Sequence, residues 1–112
     1  MTNQQTRLND TFHALADPTR RAVLAALGSG PATVSDLAQP FDMAMPSFLQ
    51  HLRVLEKAGL VRSRKTGRVR TCTLAPRPLK RAEGWMVTQR ALWDRRLDQL
   101  DELLTRLKET SP

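Results

Sequence analysis

DMAMPSFLQHLRVLEKAGLVRSRKTGRVRTCTL, from Asp42 to Leu74, is the stretch that decides how the rest of the chain is read. Its first half has the period of an amphipathic helix. At about 100° per residue, Met45, Phe48, Leu52 and Leu55 fall on one face, with Leu49 at its edge. Pro46, Ser47, Gln50, Arg53, Val54 and Lys57 lie opposite, and His51 sits at the flank. Proline is tolerated only in a first turn, so the helix starts between Asp42 and Ala44. Gly59 marks its end, where the chain commonly needs a left-handed residue. The second half is extended. Leu60 and Val61 open a strand, Thr66-Gly67 supplies a turn, and Val69, Thr71 and Thr73 are β-branched residues on the return.

The charge on this hairpin is one-sided. From Lys57 to Ala82 there are nine Lys or Arg residues and no Asp or Glu. A face that serves only solubility mixes signs, so a run this unbalanced points to a polyanionic partner. The chain as a whole carries +7 at neutral pH. A helix that leads directly into a basic hairpin is the reading head of a winged helix-turn-helix, whose natural target is double-stranded DNA.

Working outward, the 112 residues make one domain with a modest core. Residues 1–5 are expected to be a disordered tail. Leu8, Phe12 and Leu15 place a first helix over Thr6 to Ala16. Asp17-Pro18 is an N-cap followed by an N1 proline, and opens a second helix to Leu27 with Val23, Leu24 and Leu27 inward. Gly28, Gly30 and Pro31 stop it. Thr33 to Asp36 resembles a capping box, opening a short third helix that Pro40 ends, with Val34, Leu37 and Ala38 as core candidates. Residues 33–58 are then the helix-turn-helix and 60–75 the wing. A last helix is expected over 79–108. The fold class is mainly α with a small β-hairpin wing, in the order α-α-α-α-β-β-α.

That last helix has a seam. Trp93, Leu97, Leu100, Leu104 and Leu107 alternate spacings of four and three. A domain of this size has too little surface to cover so much leucine and tryptophan. The expectation is a homodimer through this helix and the first, with Leu8, Phe12, Trp93, Leu97, Leu100 and Leu104 at the interface.

Three segments carry a family resemblance: ALADPTRR (Ala14 to Arg21), HL-x-x-L-x-x-AGLV (His51 to Val61) and GR-x-R (Gly67 to Arg70). Together they resemble the ArsR/SmtB winged-helix repressors, over roughly Phe12 to Leu104. The resemblance implies a dimer acting in transcription. Two positions depart from it. Leu49 stands where members often have Ser, so no base contact is carried over there. Cys72 replaces a common aromatic, implying a slightly smaller core under the wing. Metal-sensing members carry cysteines in the third helix or a His-containing set on the last. Here the third helix reads TVSDLAQ and the last has no His. No metal site is expected, and Asp94, Asp98 and Asp101 read as solvated charges.

For DNA, the candidates on the recognition helix are Pro46, Ser47, Gln50, His51, Arg53 and Lys57. Gln50 can pair with adenine, Arg53 can read guanine or hold phosphate, and His51 either donates to the nucleic acid or supports the helix-turn-helix. Arg62, Arg64, Lys65, Arg68 and Arg70 are wing candidates for the backbone or minor groove. No catalytic constellation is present, and no cofactor is implied. One cysteine excludes an internal disulfide. MTNQQTRLND lacks the apolar stretch of a signal peptide and no run approaches membrane-spanning length, so a cytoplasmic protein is expected. The effector is left open. Two other classes fit in part: a winged helix that binds proteins, which has no need of an acid-free wing, and a binder of structured RNA.

Overall fold

The computed structural model describes residues 3–110. The elements run α1 (Asn3–Leu15), α2 (Pro18–Leu27), β1 (Ala32–Thr33), α3 (Val34–Ala38), α4 (Met45–Lys57), β2 (Val61–Thr66), β3 (Val69–Leu74) and α5 (Arg77–Thr110). They form two compact units, one running to Ala82 and one from Glu83 onward.

Side-chain caps set the starts of α2 and α3. Asp17 accepts the Arg20 N–H at 3.0 Å and Pro18 occupies the first turn of α2. Thr33 Oγ1 accepts the Asp36 N–H at 3.1 Å and opens α3. Such side-chain oxygens satisfy amides that the helix itself leaves unpaired. At the far end of α4, Leu60 N–H donates to Leu55 O and Gly59 N–H to Glu56 O, both at 3.0 Å. This pair of bonds is a Schellman motif, and it requires the left-handed φ of +77° at Gly59. It turns the chain straight from the recognition helix into the wing.

Phe48, Leu52 and Leu55 of α4 are the centre of the core, with Val23, Leu24 and Leu27 of α2, Leu37 of α3, Leu60, Val61 and Cys72 around them. Val34 and Ala38 pack at its edge. The apolar residues expected inward on α2 and α3 are therefore the observed ones, and Arg20 of α2 is buried beside them.

Elsewhere the structure departs from expectation. Residues 3–5, expected in the tail, belong to α1, which starts three residues early; residues 1–2 lie outside the described ones. Within α1 the fully buried side chains are Thr11 and Ala14, while Leu8, Phe12 and Leu15 are half-buried. Met45, expected inward, is 44% exposed, because it is the first residue of α4 and sits at the open end of its apolar face. Val54, expected outward, packs against the core, facing a shallow depression it shares with Asp10 and His13 of α1. The wing sheet has three strands, in the order β1-β3-β2. Ala32 pairs with Cys72 and Thr33 with Thr71, both antiparallel. The hairpin turn lies one residue later than expected, at Gly67-Arg68, with Thr66 paired to Val69. Gly67 has φ +61°, as the first central position of a type II′ turn requires.

In the second unit α5 continues to Thr110, starting two residues before and ending two after the expected bounds. From Glu83 on its described residues are exposed, apart from half-buried Gln89 and Leu92. No helix among the described residues is long and apolar enough to cross a membrane.

Candidate nucleic-acid interface

Helix α4 divides its surface cleanly. Phe48, Leu52 and Leu55 are buried, and Pro46, Ser47, Gln50, Arg53 and Lys57 are exposed. Pro46, Ser47, Gln50 and His51 line one open depression of about 390 Å³ with Arg20 and Val54. On the other flank of α4, Met45 and Leu49 share a wider depression of about 620 Å³ with Lys65, Arg68, Val69 and Arg70 of the wing. The recognition helix thus has a polar side toward α2 and a side toward the wing that mixes apolar and cationic groups.

Register sorts the wing cations. Residues paired across the hairpin share a face. Arg62 with Thr73, and Arg64 with Thr71, lie on one side; Ser63 with Cys72, and Lys65 with Arg70, lie on the other. Arg62, Arg64, Lys65 and Arg68 are exposed. Arg70 is half-buried, and its Nη2 donates to Glu56 Oε1 and, at 3.1 Å, to Ser63 Oγ. Ser63 Oγ also donates to Glu56, at 3.0 Å. The charge of Arg70 is therefore matched inside the protein, and the triad ties β2 and β3 to the end of α4. Lys57 and Arg62 extend the cationic surface to Arg77 and Arg81, around a third depression that the carboxylate of Asp10 also lines.

Beside the recognition helix lies a second network that sequence reasoning does not find. Arg20 is buried. Its Nε donates to Ala14 O at 2.8 Å and its Nη2 to His13 O at 3.0 Å, closing the last turn of α1. Its Nη1 is 3.1 Å from Nδ1 of His51. Asp17 Oδ2 stands 3.6 Å from the same nitrogen, too long for a hydrogen bond. Partial burial raises the Asp17 pKa, but the Arg20 amide, the charge of the Arg20 guanidinium and the Thr19 amide outweigh it and hold the carboxyl below its ordinary value. ALADPTRR contains both Asp17 and Arg20, but nothing in the spacing links Arg20 to a position 31 residues on. The Glu56 network has a visible signal, since Glu56 is the single acid between Asp42 and Glu83.

Cys72 is fully buried, and that burial pushes its thiol pKa up, with Arg70 pulling it down and Glu56 adding to the rise. A protonated, enclosed thiol is a small apolar side chain. Among the described residues no group of three or more His, Cys, Asp or Glu side chains is placed to hold a metal ion. Of the residues assigned to an interface between copies, Leu8 and Phe12 are half-buried in the first unit. In the second, Trp93, Leu97, Leu100 and Leu104 are all exposed, Leu97 at 59%.

A tri-helical core, an exposed polar recognition helix and a cationic three-stranded wing define a winged helix-turn-helix that binds DNA. Known proteins agree. A family described as a helix-turn-helix domain matches residues 15–64. The transcriptional repressor SdpR of Bacillus subtilis (strain 168) is 32% identical over 80 residues, covering 71% of this chain and 89% of that protein. The crystal structure of an ArsR family transcriptional regulator is similar at a TM-score of 0.79 and 53% identity, over 84% of this chain and 97% of that one. An ArsR-like transcriptional regulator from Rhodococcus sp. RHA1 gives 0.75 and 29%, over 91% and 96%. The chain belongs to the ArsR/SmtB family of winged helix-turn-helix proteins, and it is a DNA-binding transcriptional regulator.

Proposed function

We propose that this protein is a homodimeric repressor that binds an inverted-repeat operator in double-stranded DNA. The observation that carries this is the pairing of an exposed polar face on α4 with four exposed wing cations, with no exposed acid along the sequence from Met45 to Arg70. Ser47, Gln50 and Arg53 of α4 enter the major groove and read bases, with Pro46, His51 and Lys57 flanking them. Arg62, Arg64, Lys65 and Arg68 hold phosphates beside the groove and supply affinity more than sequence choice. Arg70 acts from behind, fixing the wing against Glu56. The exposed seam of α5, with Leu8 and Phe12 of α1, joins two copies, so that two recognition helices meet successive major grooves about 34 Å apart. A dimer seated on a promoter excludes polymerase, and repression follows; the protein acts by occupancy, without catalysis.

Competition tests this reading. A labelled operator, selected from random duplexes by the protein itself, is challenged with excess unlabelled operator, random duplex and folded RNA. The proposal expects operator to compete at least about 10³-fold better than random duplex, as specific binders do. Equal competition by RNA and duplex points instead to shape recognition. Absence of any nucleic-acid binding points to a protein-interaction module.

A further inference from the structure

Arg20 and His51 meet at 3.1 Å, guanidinium Nη1 to imidazole Nδ1. A guanidinium is always a donor and never an acceptor, so this nitrogen of His51 must offer its lone pair. The ring is therefore neutral at the contact, with its proton on Nε2. Arg20 is not free to adjust, since its other two nitrogens are held by the carbonyls of Ala14 and His13 within a buried site. Nε2 has no partner among the described residues, and among them no buried side-chain nitrogen or oxygen lacks one. It follows that Nε2 is not fully enclosed by the protein. His51 lines the same depression as Ser47 and Gln50, on the face offered to DNA.

We infer that Arg20, from the second helix, is a positioning residue for DNA binding: it fixes His51 in the Nε2–H tautomer and so aims a single donor from α4 at a backbone phosphate. A neutral N–H suits that task, because it holds a phosphate oxygen by direction and leaves the main cationic grip to the wing. The same contact couples α1, α2 and α4 through one side chain, so the angle of the recognition helix and the donor at its flank are set together. The inference rests on the DNA-binding reading, but its first test does not.

That test is nitrogen-15 NMR of His51 in the free wild-type protein at pH 7.5. The expected spectrum has an unprotonated Nδ1 and a protonated Nε2. A proton on Nδ1 overturns the inference whatever the protein binds. The second test measures affinity for the selected operator. His51→Gln, whose amide nitrogen reaches the position of Nε2, is expected to bind within about threefold of wild type. His51→Leu should lose about tenfold per half-site, the size of one hydrogen bond to a charged group. Replacing one phosphate per half-site by a neutral methylphosphonate should cost wild type and His51→Gln a similar factor and leave His51→Leu unaffected. Equal binding by all three proteins, or an equal loss by all three at every methylphosphonate, overturns the phosphate contact. In Arg20→Lys, whose amine is a point donor, the tautomer ratio of His51 should shift toward a mixture; an unchanged ratio with unchanged affinity removes Arg20 from the mechanism. A wild-type protein that binds no selected duplex defeats the DNA-binding reading itself, and is a different result from any of these.

Discussion

Three side chains have roles that their type alone does not announce. Asp17 begins α2 by accepting the Arg20 amide. Burial raises its carboxyl pKa, but that amide and nearby positive charge outweigh the rise and hold it below the ordinary value. A carboxyl whose folded pKa is lowered stabilises the fold at pH values above its unfolded pKa of about 3.9. That stability is lost as pH falls through the folded pKa. Asp17→Ala is expected to lower stability at neutral pH by about 1 kcal/mol, as loss of an N-cap does. Asp17→Asn keeps an accepting oxygen, so it should cost less at neutral pH and flatten the acid limb of the stability curve. Denaturant melts at pH 7 and across the acid range check both, and an acid limb unchanged in Asp17→Asn contradicts the assignment. Arg70 is the second case. Its position in GR-x-R suggests a phosphate contact, yet its guanidinium is bonded to Glu56 and Ser63. A double-mutant cycle on Glu56→Ala and Arg70→Ala should give a coupling of about 0.5–1 kcal/mol, at the upper end of the range for surface pairs because the pair is half-buried and three groups are joined. Coupling indistinguishable from zero would mean that the triad is incidental to stability. Cys72 is the third, a buried thiol whose chemistry is suppressed by its enclosure.

Among the elements, recognition helix and wing divide the labour, and their roles separate by salt. Gln50 is exposed on α4, and Arg64 and Arg68 are exposed on the hairpin. Gln50→Ala should cost about 1–3 kcal/mol per half-site on the operator and little on random duplex. Arg64→Ala and Arg68→Ala should weaken both duplexes alike. Each should also flatten the plot of log affinity against log salt, by about one unit for every phosphate the variant dimer no longer neutralises. Arg70→Ala should leave that slope unchanged, since its charge is already matched. Titrations of the four variants on both duplexes across a salt series decide it. Wing variants that lose only operator binding would show that specificity sits in the wing. These elements are largely legible in the sequence, because each announces itself locally. Asp17-Pro18, Thr33 with Asp36, Pro46 and Gly59 are start and stop signals that act within four residues, and the structure uses all of them. What stays illegible is long-range. Two-residue β1 is too short to show alternation, and Thr33 doubles as a helix cap. The exposed Met45 and the core-packed Val54 depend on where α1 and the wing lie beside α4, which helical period alone does not contain. The link from Arg20 to His51 spans 31 positions and exists only once α2 lies against α4.

At the scale of the whole molecule the proposal depends on two copies. Trp93, Leu97, Leu100 and Leu104 recur along α5 with coiled-coil spacing, and all are exposed in one chain. A row of large apolar side chains in that pattern is what a dimer interface buries. Light scattering should give about twice the chain mass of 12.6 kDa at micromolar concentration. Leu97→Glu should return the mass of one chain, or unfold the protein, because an unpaired carboxylate in the seam loses its hydration. A folded wild-type monomer under the same conditions contradicts the dimer. The periodicity of the seam is legible in the sequence; what covers it is not, since one chain's pattern specifies an apolar face and leaves its occupant open. The central claim is that paired recognition helices read paired half-sites, and selection from random duplexes followed by sequencing of the bound pool tests it most directly. The expected result is an imperfect inverted repeat with half-site centres about 10 base pairs apart, or a multiple of that, bound by two chains. A pool enriched in a single unrepeated site bound by one chain, or a pool with no shared sequence, would contradict it.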